Sequence, residues 1–353
     1  MKATSLACVC VCVCVCVLLM PPTGSAQNAA PLVLERGPHH RVVEWLSWSA
    51  DASGKPYALT NRYTELATGL HYWRDGEWLD SQELVETAAE GAIGAHGQHS
   101  VTFASNANTA GAVDVVMPDG RHLRCHVLGL RYWDAQANVS VWLATLTEAE
   151  GELHRPNRVL YPGALRGQVT ADLGYTWTKA AVEQEVILRT LLPDPERWGL
   201  NRDAVWLQAV TEFIEAPDPT AVTAGSGTDR EAVSLNFGSM QMPPGWAFTL
   251  GATGQRSRAH VSKQWVTVEG RRLLLESVKW GAIDREWRQV TAAVTPEGRE
   301  TEEQRAVASA VSALPAVSTA QAGRRRGQIQ FARNDLPTRP GFVLDWTDRK
   351  SVV

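Results

Sequence analysis

Two carboxylates one residue apart, Glu183 and Glu185, are the chain's clearest acid–base candidates. On a strand they share a face with Cα atoms about 6.5–7 Å apart. That overlaps the spacing an inverting glycosidase needs between its acid and its water-activating base. Val182, Val186 and Leu188 alternate with them, so an ordinary solvent face is favoured over catalysis.

Histidines and the thiol come next. His96 and His99 form one group, and His122 and His126 flank Cys125 in another. Within a strand His122 and His126 point the same way but stand about 13 Å apart, too far to share an ion. Cys125 falls on the opposite face, where a buried small hydrophobe is favoured over a nucleophile. No zinc-protease spacing, EF-hand loop, nucleophile elbow or Gly-rich phosphate loop occurs, so neither metal nor cofactor is expected.

Aromatic strips are the remaining ligand candidates: Tyr72, Trp73 and Trp78, then Tyr132, Trp133 and Trp142, then Tyr175 and Trp177. Neighbours such as Tyr72–Trp73 and Tyr132–Trp133 point to opposite faces, leaving one of each free to stack on a sugar ring or a neighbouring module. The 14 Trp outnumber the 6 Phe and 6 Tyr together, which suits either sugar-binding faces or a wide sheet-on-sheet core. Asn138-Val139-Ser140 matches a glycosylation sequon.

The elements that must position these groups read as strands. Asp75-Gly76, Asp119-Gly120 and Glu269-Gly270 each separate two alternating apolar runs, giving three hairpins. Further strands are expected at 100–103, 128–133, 139–146, 169–177, 181–192, 205–214 and 247–250. Residues 216–230 read as a polar loop between them, one a partner or a protease could recognise. No segment before Glu300 keeps a 3.6-residue apolar period. The expected fold is all-β: a large antiparallel β-sandwich, one extended or two consecutive, over residues 27–290.

Composition bounds the setting. With 34 basic and 38 acidic side chains the formal net charge is −4, leaving no electrostatic footprint for nucleic acid. Residues 1–26 carry Lys2, an apolar run from Ala7 to Met20, and small residues at 24–26, the layout of a secretory signal peptide. The run is too short to span a bilayer, so no membrane span is expected in the mature chain. Five of the 6 Cys alternate with Val inside that run, leaving Cys125 alone after cleavage. About 260 residues suffice for a core without a disulfide.

Residues 291–335 are rich in Ala, Ser, Glu and Arg and read as a disordered or weakly helical linker. Residues 336–347 read as the start of a further module. Residues 348–353, Asp-Arg-Lys-Ser-Val-Val, match the translation of a common sequencing adapter, so the natural chain is expected to continue past Thr347.

Leu32–His39, Tyr63–Tyr72, Gly97–His99, Pro118–Gly120 and Pro340–Asp345 carry a resemblance. They look like the uncharacterised N-terminal region of very large secreted bacterial proteins that continue into YD-repeat (RHS-type) or parallel β-helix segments. The resemblance implies a secreted or cell-surface location, with downstream modules of the same polypeptide as partners. The expected function is a non-enzymatic structural or interaction module; the alternative is a carbohydrate-binding or carbohydrate-cleaving sandwich. A polysaccharide or a cell-surface protein is the expected external partner.

Overall fold

The computed structural model describes residues 30–223, 233–249, 258–284, 330–331 and 342–345. They are almost entirely β, as expected. Two units are described separately. Residues 30–35 and 41–65 form the first, and Arg36–His40 with the chain from Leu66 form the second.

In the first unit β1 (Leu32–Arg36), β2 (His40–Ala50) and β3 (Pro56–Leu66) make a three-stranded sheet. The turn between β2 and β3 is held by Asp51, whose Oδ1 accepts from the backbone N–H groups of Ser53 and Lys55.

The second unit begins with the hairpin β4 (His71–Arg74) and β5 (Glu77–Asp80). A meander of β6 (Val85–Ala88), β7 (Gly91–Gly94), β8 (Ser100–Ala104) and β9 (Val113–Val116) leads into β10 (His122–Asp134). Then come β11 (Val139–Leu146), β12 (Glu152–His154), β13 (Arg158–Gly167), β14 (Thr170–Trp177) and β15 (Val182–Leu188). A 3-10 turn at Pro195–Trp198 precedes β16 (Val205–Glu215). A small sheet of β17 (Thr220–Thr223), β18 (Val233–Asn236) and β19 (Gln241–Met242) follows. The last strands are β20 (Gly245–Thr249), β21 (Arg258–Val268), β22 (Arg271–Lys279), β23 (Gln330–Phe331) and β24 (Phe342–Asp345).

The three hairpins form where the turn chemistry put them. Asp75 and Gly76 take φ of 52° and 90°, and Glu269 and Gly270 take 51° and 79°, the positive pair a type I′ turn requires. The two runs expected at 122–127 and 128–133 are one strand, β10, whose register to β16 slips between Val127 and Gly129. That bulge redirects the strand. Its first half pairs with β9 and its second with β11, while β16 follows both halves.

The pairing returns on itself. β13, β14, β15, β24, β20, β21, β22, β16, β10 and β11 are bonded in that order, and β11 bonds back to β13. The two layers of the sandwich are therefore continuous at their margins. β6–β9 extend one layer beyond the ring, where Phe103 lies 5.6 Å from Tyr175 and the Tyr161 hydroxyl donates to Ala104 O at 2.6 Å. One continuous core lies between, with Leu130, Tyr132, Leu165, Leu173, Trp177 and Leu207 fully enclosed. Residues 342–345, which the sequence assigned to a further module, lie inside this sheet as β24. The expected linker lies outside the described residues except for Gln330–Phe331, which pairs in parallel with β12. Of the loop expected at 216–230, Thr220–Thr223 is a strand and 224–230 lie outside the described residues.

Closure depends on two glycines flanking β11. A Cβ at Gly129 of β10 would stand 2.2 Å from Ala144 O, and one at Gly167 of β13 would stand 2.4 Å from Leu143 O. Both obstacles are backbone, so neither yields by a rotamer change. Gly167→Ala is expected to cost about 1–3 kcal/mol in chemical denaturation; a variant as stable as the parent would show that β11 crosses with room to spare.

Candidate interaction surface

The structure keeps Glu183 and Glu185 on one face of β15 but does not leave that face open. Glu183 is buried, and Glu185 Oε2 lies 2.5 Å from Arg158 Nη2. The pair spans β14 at Gly174, where a Cβ would stand 3.0 Å from both Arg158 Nη2 and Glu185 Oε2. The expected solvent face is therefore partly covered, because Arg158 and Leu160 on β13 and Phe248 on β20 fill the surface beside it.

Cys125 points into the core, and burial first, then the Glu276 charge, pushes its thiol up to about 12. His122 and His126 project from the other face to separate partners. His122 Nδ1 is 2.9 Å from Asp114, which also holds Arg124. His126 Nδ1 accepts from the Gly111 N–H, which leaves Nε2, 3.3 Å from Glu212, to carry the ring proton. Glu212 is held by both nitrogens of the Arg271 fork at 2.6 and 2.7 Å. That salt-bridged hold keeps Glu212 below the usual carboxylate range, while burial lowers His126. His96 bonds Glu86, whereas buried His99 packs 5.8 Å from Trp177 and is pushed down to about 4 by desolvation.

Among the aromatic candidates, burial removes Tyr132, Tyr175 and Trp177 from any ligand; their strands turn them inward, and Tyr132 donates to Pro193 O at 2.7 Å. Tyr72 is also buried, but its neighbour Trp73 is 59% exposed and meets Trp78 edge to face at 5.1 Å. Trp133 and Trp142 are half-buried, the latter under the Arg131 guanidinium at 5.8 Å. The opposite orientation expected within each pair holds for Tyr72–Trp73 and Tyr132–Trp133.

The core also holds a charge pair that sequence reading missed. Lys263 and Glu276 are register partners across β21 and β22, enclosed with Nζ and Oε1 3.6 Å apart. Burial drives the Glu276 carboxyl up to about 7, and the Lys263 ammonium pulls it back only in part.

A group of exposed large apolar residues was also missed. Trp45, Leu46 and Trp48 on β2, with Tyr57, Leu59 and Tyr63 on β3, are 38% to 60% exposed. Cross-strand contacts sort the faces. Arg41–Glu65 and Ser47–Asn61 place Trp45, Tyr57, Leu59 and Tyr63 together, and Glu44–Arg62 places Leu46 and Trp48 on the reverse. The signal was present as two long runs of Trp, Tyr and Leu interleaved with Ser, Thr and charged residues, which suit strands that bury little on either side; Val43 is their one buried residue.

Among the described residues no group of three His, Cys, Asp or Glu side chains is placed to hold a metal ion, and no helix is long and apolar enough to cross a membrane. Fold and surface together define an all-β protein with a closed core and an exposed aromatic ribbon. Comparison with protein-family models, curated proteins and solved structures finds no match.

The Glu276 shift has a definite sign. Its folded value of about 7 lies above the ordinary 4.5, so its contribution to stability is full below about pH 4.5 and is lost as pH rises through 7. Glu276→Gln removes that titration. Between pH 4.5 and 7 the melting midpoint of the variant should gain on that of the parent; parallel curves would place the Glu276 titration elsewhere.

Proposed function

We propose that the protein is a non-enzymatic interaction module of an exported polypeptide, with the closed β body as scaffold and the β1–β3 ribbon as its contact surface. The ribbon carries the reading. A three-stranded sheet needs an apolar face covered to be stable, and contiguous exposed apolar surface of this kind marks a protein-binding site. Trp and Tyr are the residues that dominate such contacts, because they bury large rigid area at little entropic cost. Of the two carboxylates considered for catalysis, Glu183 is buried and Glu185 is engaged by Arg158. Export rests on the signal-like residues 1–26, and placement at the head of a long secreted chain rests on the resemblance to the N-terminal regions of YD-repeat and β-helix proteins.

The variant Trp45→Ser/Trp48→Ser/Tyr57→Ser/Tyr63→Ser tests it. It should keep the parent's melting midpoint and lose at least about tenfold in affinity for the cell-surface protein that the parent captures. Equal affinity would exclude the ribbon.

The Trp73–Trp78 pair favours a second reading, carbohydrate binding at the β4–β5 hairpin, because an exposed indole fixed edge-on by another can stack on a pyranose. Titration with soluble polysaccharides should change the tryptophan emission of the parent and not of Trp73→Ala. A parent indifferent to acidic and neutral polysaccharides alike would remove this alternative.

A further inference from the structure

We propose that the space between β15 and β20 is a strand-acceptor slot, and that Phe342–Asp345 is a detachable donor strand of the same chain that fills it. β24 is paired along its whole length on both sides. Phe342, Val343, Leu344 and Asp345 face Leu188, Ile187, Val186 and Glu185 on one edge. They face Thr249, Phe248, Ala247 and Trp246 on the other. Both pairings are antiparallel, so β15 and β20 run parallel to each other and cannot be drawn together by a hairpin.

The other junctions on this side of the ring are local. β13–β14, β14–β15, β20–β21 and β21–β22 each join strands consecutive in sequence. β24 alone there has no sequence neighbour among its partners. Residues 332–341 separate it from β23, the described strand before it, which pairs with β12 and not with β15 or β20. Its docking is therefore the association of a tethered peptide with two open edges, a strand-addition mode of recognition in which backbone bonds give affinity and side-chain positions give selectivity.

The slot's lining states what it selects. Val186, Leu188 and Ala247 belong to the main core, while Ile187 and Phe248 pack with Leu160 on the opposite face. An occupant is therefore flanked by apolar residues at successive positions on both faces, and a continuous apolar run rather than an alternating one suits it. Phe342-Val343-Leu344 is such a run. In the fourth row, Glu185–Asp345–Trp246, β15 contributes the one charged residue of the lining. There Glu185 is neutralised by Arg158, so the slot presents a compensated carboxylate at this register position.

Two experiments on the full-length chain test the assignment. Ile187→Cys with Val343→Cys places thiols at register partners of β15 and β24, within the cross-strand spacing a disulfide accepts. Oxidation should yield an intramolecular crosslink in the monomer. No crosslink overturns the proposal, and a covalent dimer overturns its assignment to the same chain by giving the slot to a second copy. In the second, Val343→Pro removes a ladder donor from a strand bonded on both sides. Amide hydrogen exchange should accelerate in β15 and β20 while β6–β9 keep their protection. A synthetic peptide of residues 338–347 should restore protection, and its scrambled form should not. Exchange unchanged by the proline, or unrelieved by saturating peptide, shows that the strand is not a detachable donor.

Discussion

A sheet edge leaves backbone donors and acceptors that must be bonded or hydrated, and the second unit meets this constraint by closing its sheet. Everything else in the body follows from that closure. β11 reaches β10 and β13 only because Gly129 and Gly167 present no Cβ to the Leu143–Ala144 backbone. With the margins joined, side chains on the inner face of the ring have no route to water, which is why Tyr132, Tyr175 and Trp177 are enclosed while their outward neighbours are not. Closure also explains the environment of Lys263 and Glu276. An ion pair on an open sheet would keep its solvent, whereas here both groups lose it, and the carboxyl responds by holding its proton more tightly.

The outer face shows the contrasting regime. Asp114, Arg124, His122, Glu215, His126, Glu212 and Arg271 form a ladder of charges across β9, β10, β16 and β22, with each carboxylate met by a cation or an imidazole. Pairs of this kind at the surface contribute modestly to stability. Their structural effect is directional: they fix which way each strand faces, so the alternate residues Leu123, Cys125, Phe213 and Leu274 are committed to the core. A one-residue slip would exchange the two sets, placing carboxylates inside and aliphatic groups in water.

What could be read from the sequence was what is local. The Asp75-Gly76 and Glu269-Gly270 turns fixed two hairpins because a type I′ turn is specified by two residues, and Gly120 at φ 81° marked the turn of the third. The Lys263–Glu276 pair was within reach of the same logic: setting Val268 opposite Arg271 and counting back along both strands brings Lys263 opposite Glu276. Cys125 was recognisable as a core residue from strand alternation alone. Arg158 as the partner of Glu185 was not, since the two meet over Gly174 through a pairing of three strands. β13 was hidden because Pro162 and Gly163 interrupt it, and the register to β14 shifts between Tyr161 and Leu165. β24 was legible as a strand, but its place was not, for a different reason. A short apolar run has no partner written beside it, and its place is defined only by two edges that are distant in the chain.

The ribbon marks the limit of that kind of reading. Pattern recognition looks for a strand with one apolar and one polar face, and β2 and β3 have apolar residues on both. That arrangement constrains what can complete them. Covering one face would hide Trp45, Tyr57, Leu59 and Tyr63 yet leave Trp48 in water, so a flat partner docked on a single side satisfies only part of the surface. A partner that clasps the ribbon between two walls covers both faces at once. The cross-strand ties Arg41–Glu65 and Glu44–Arg62 lie on opposite faces and hold β2 and β3 together, with Val43 the one buried side chain of the two strands. The ribbon can therefore present itself as a preformed blade, with little further ordering needed on insertion.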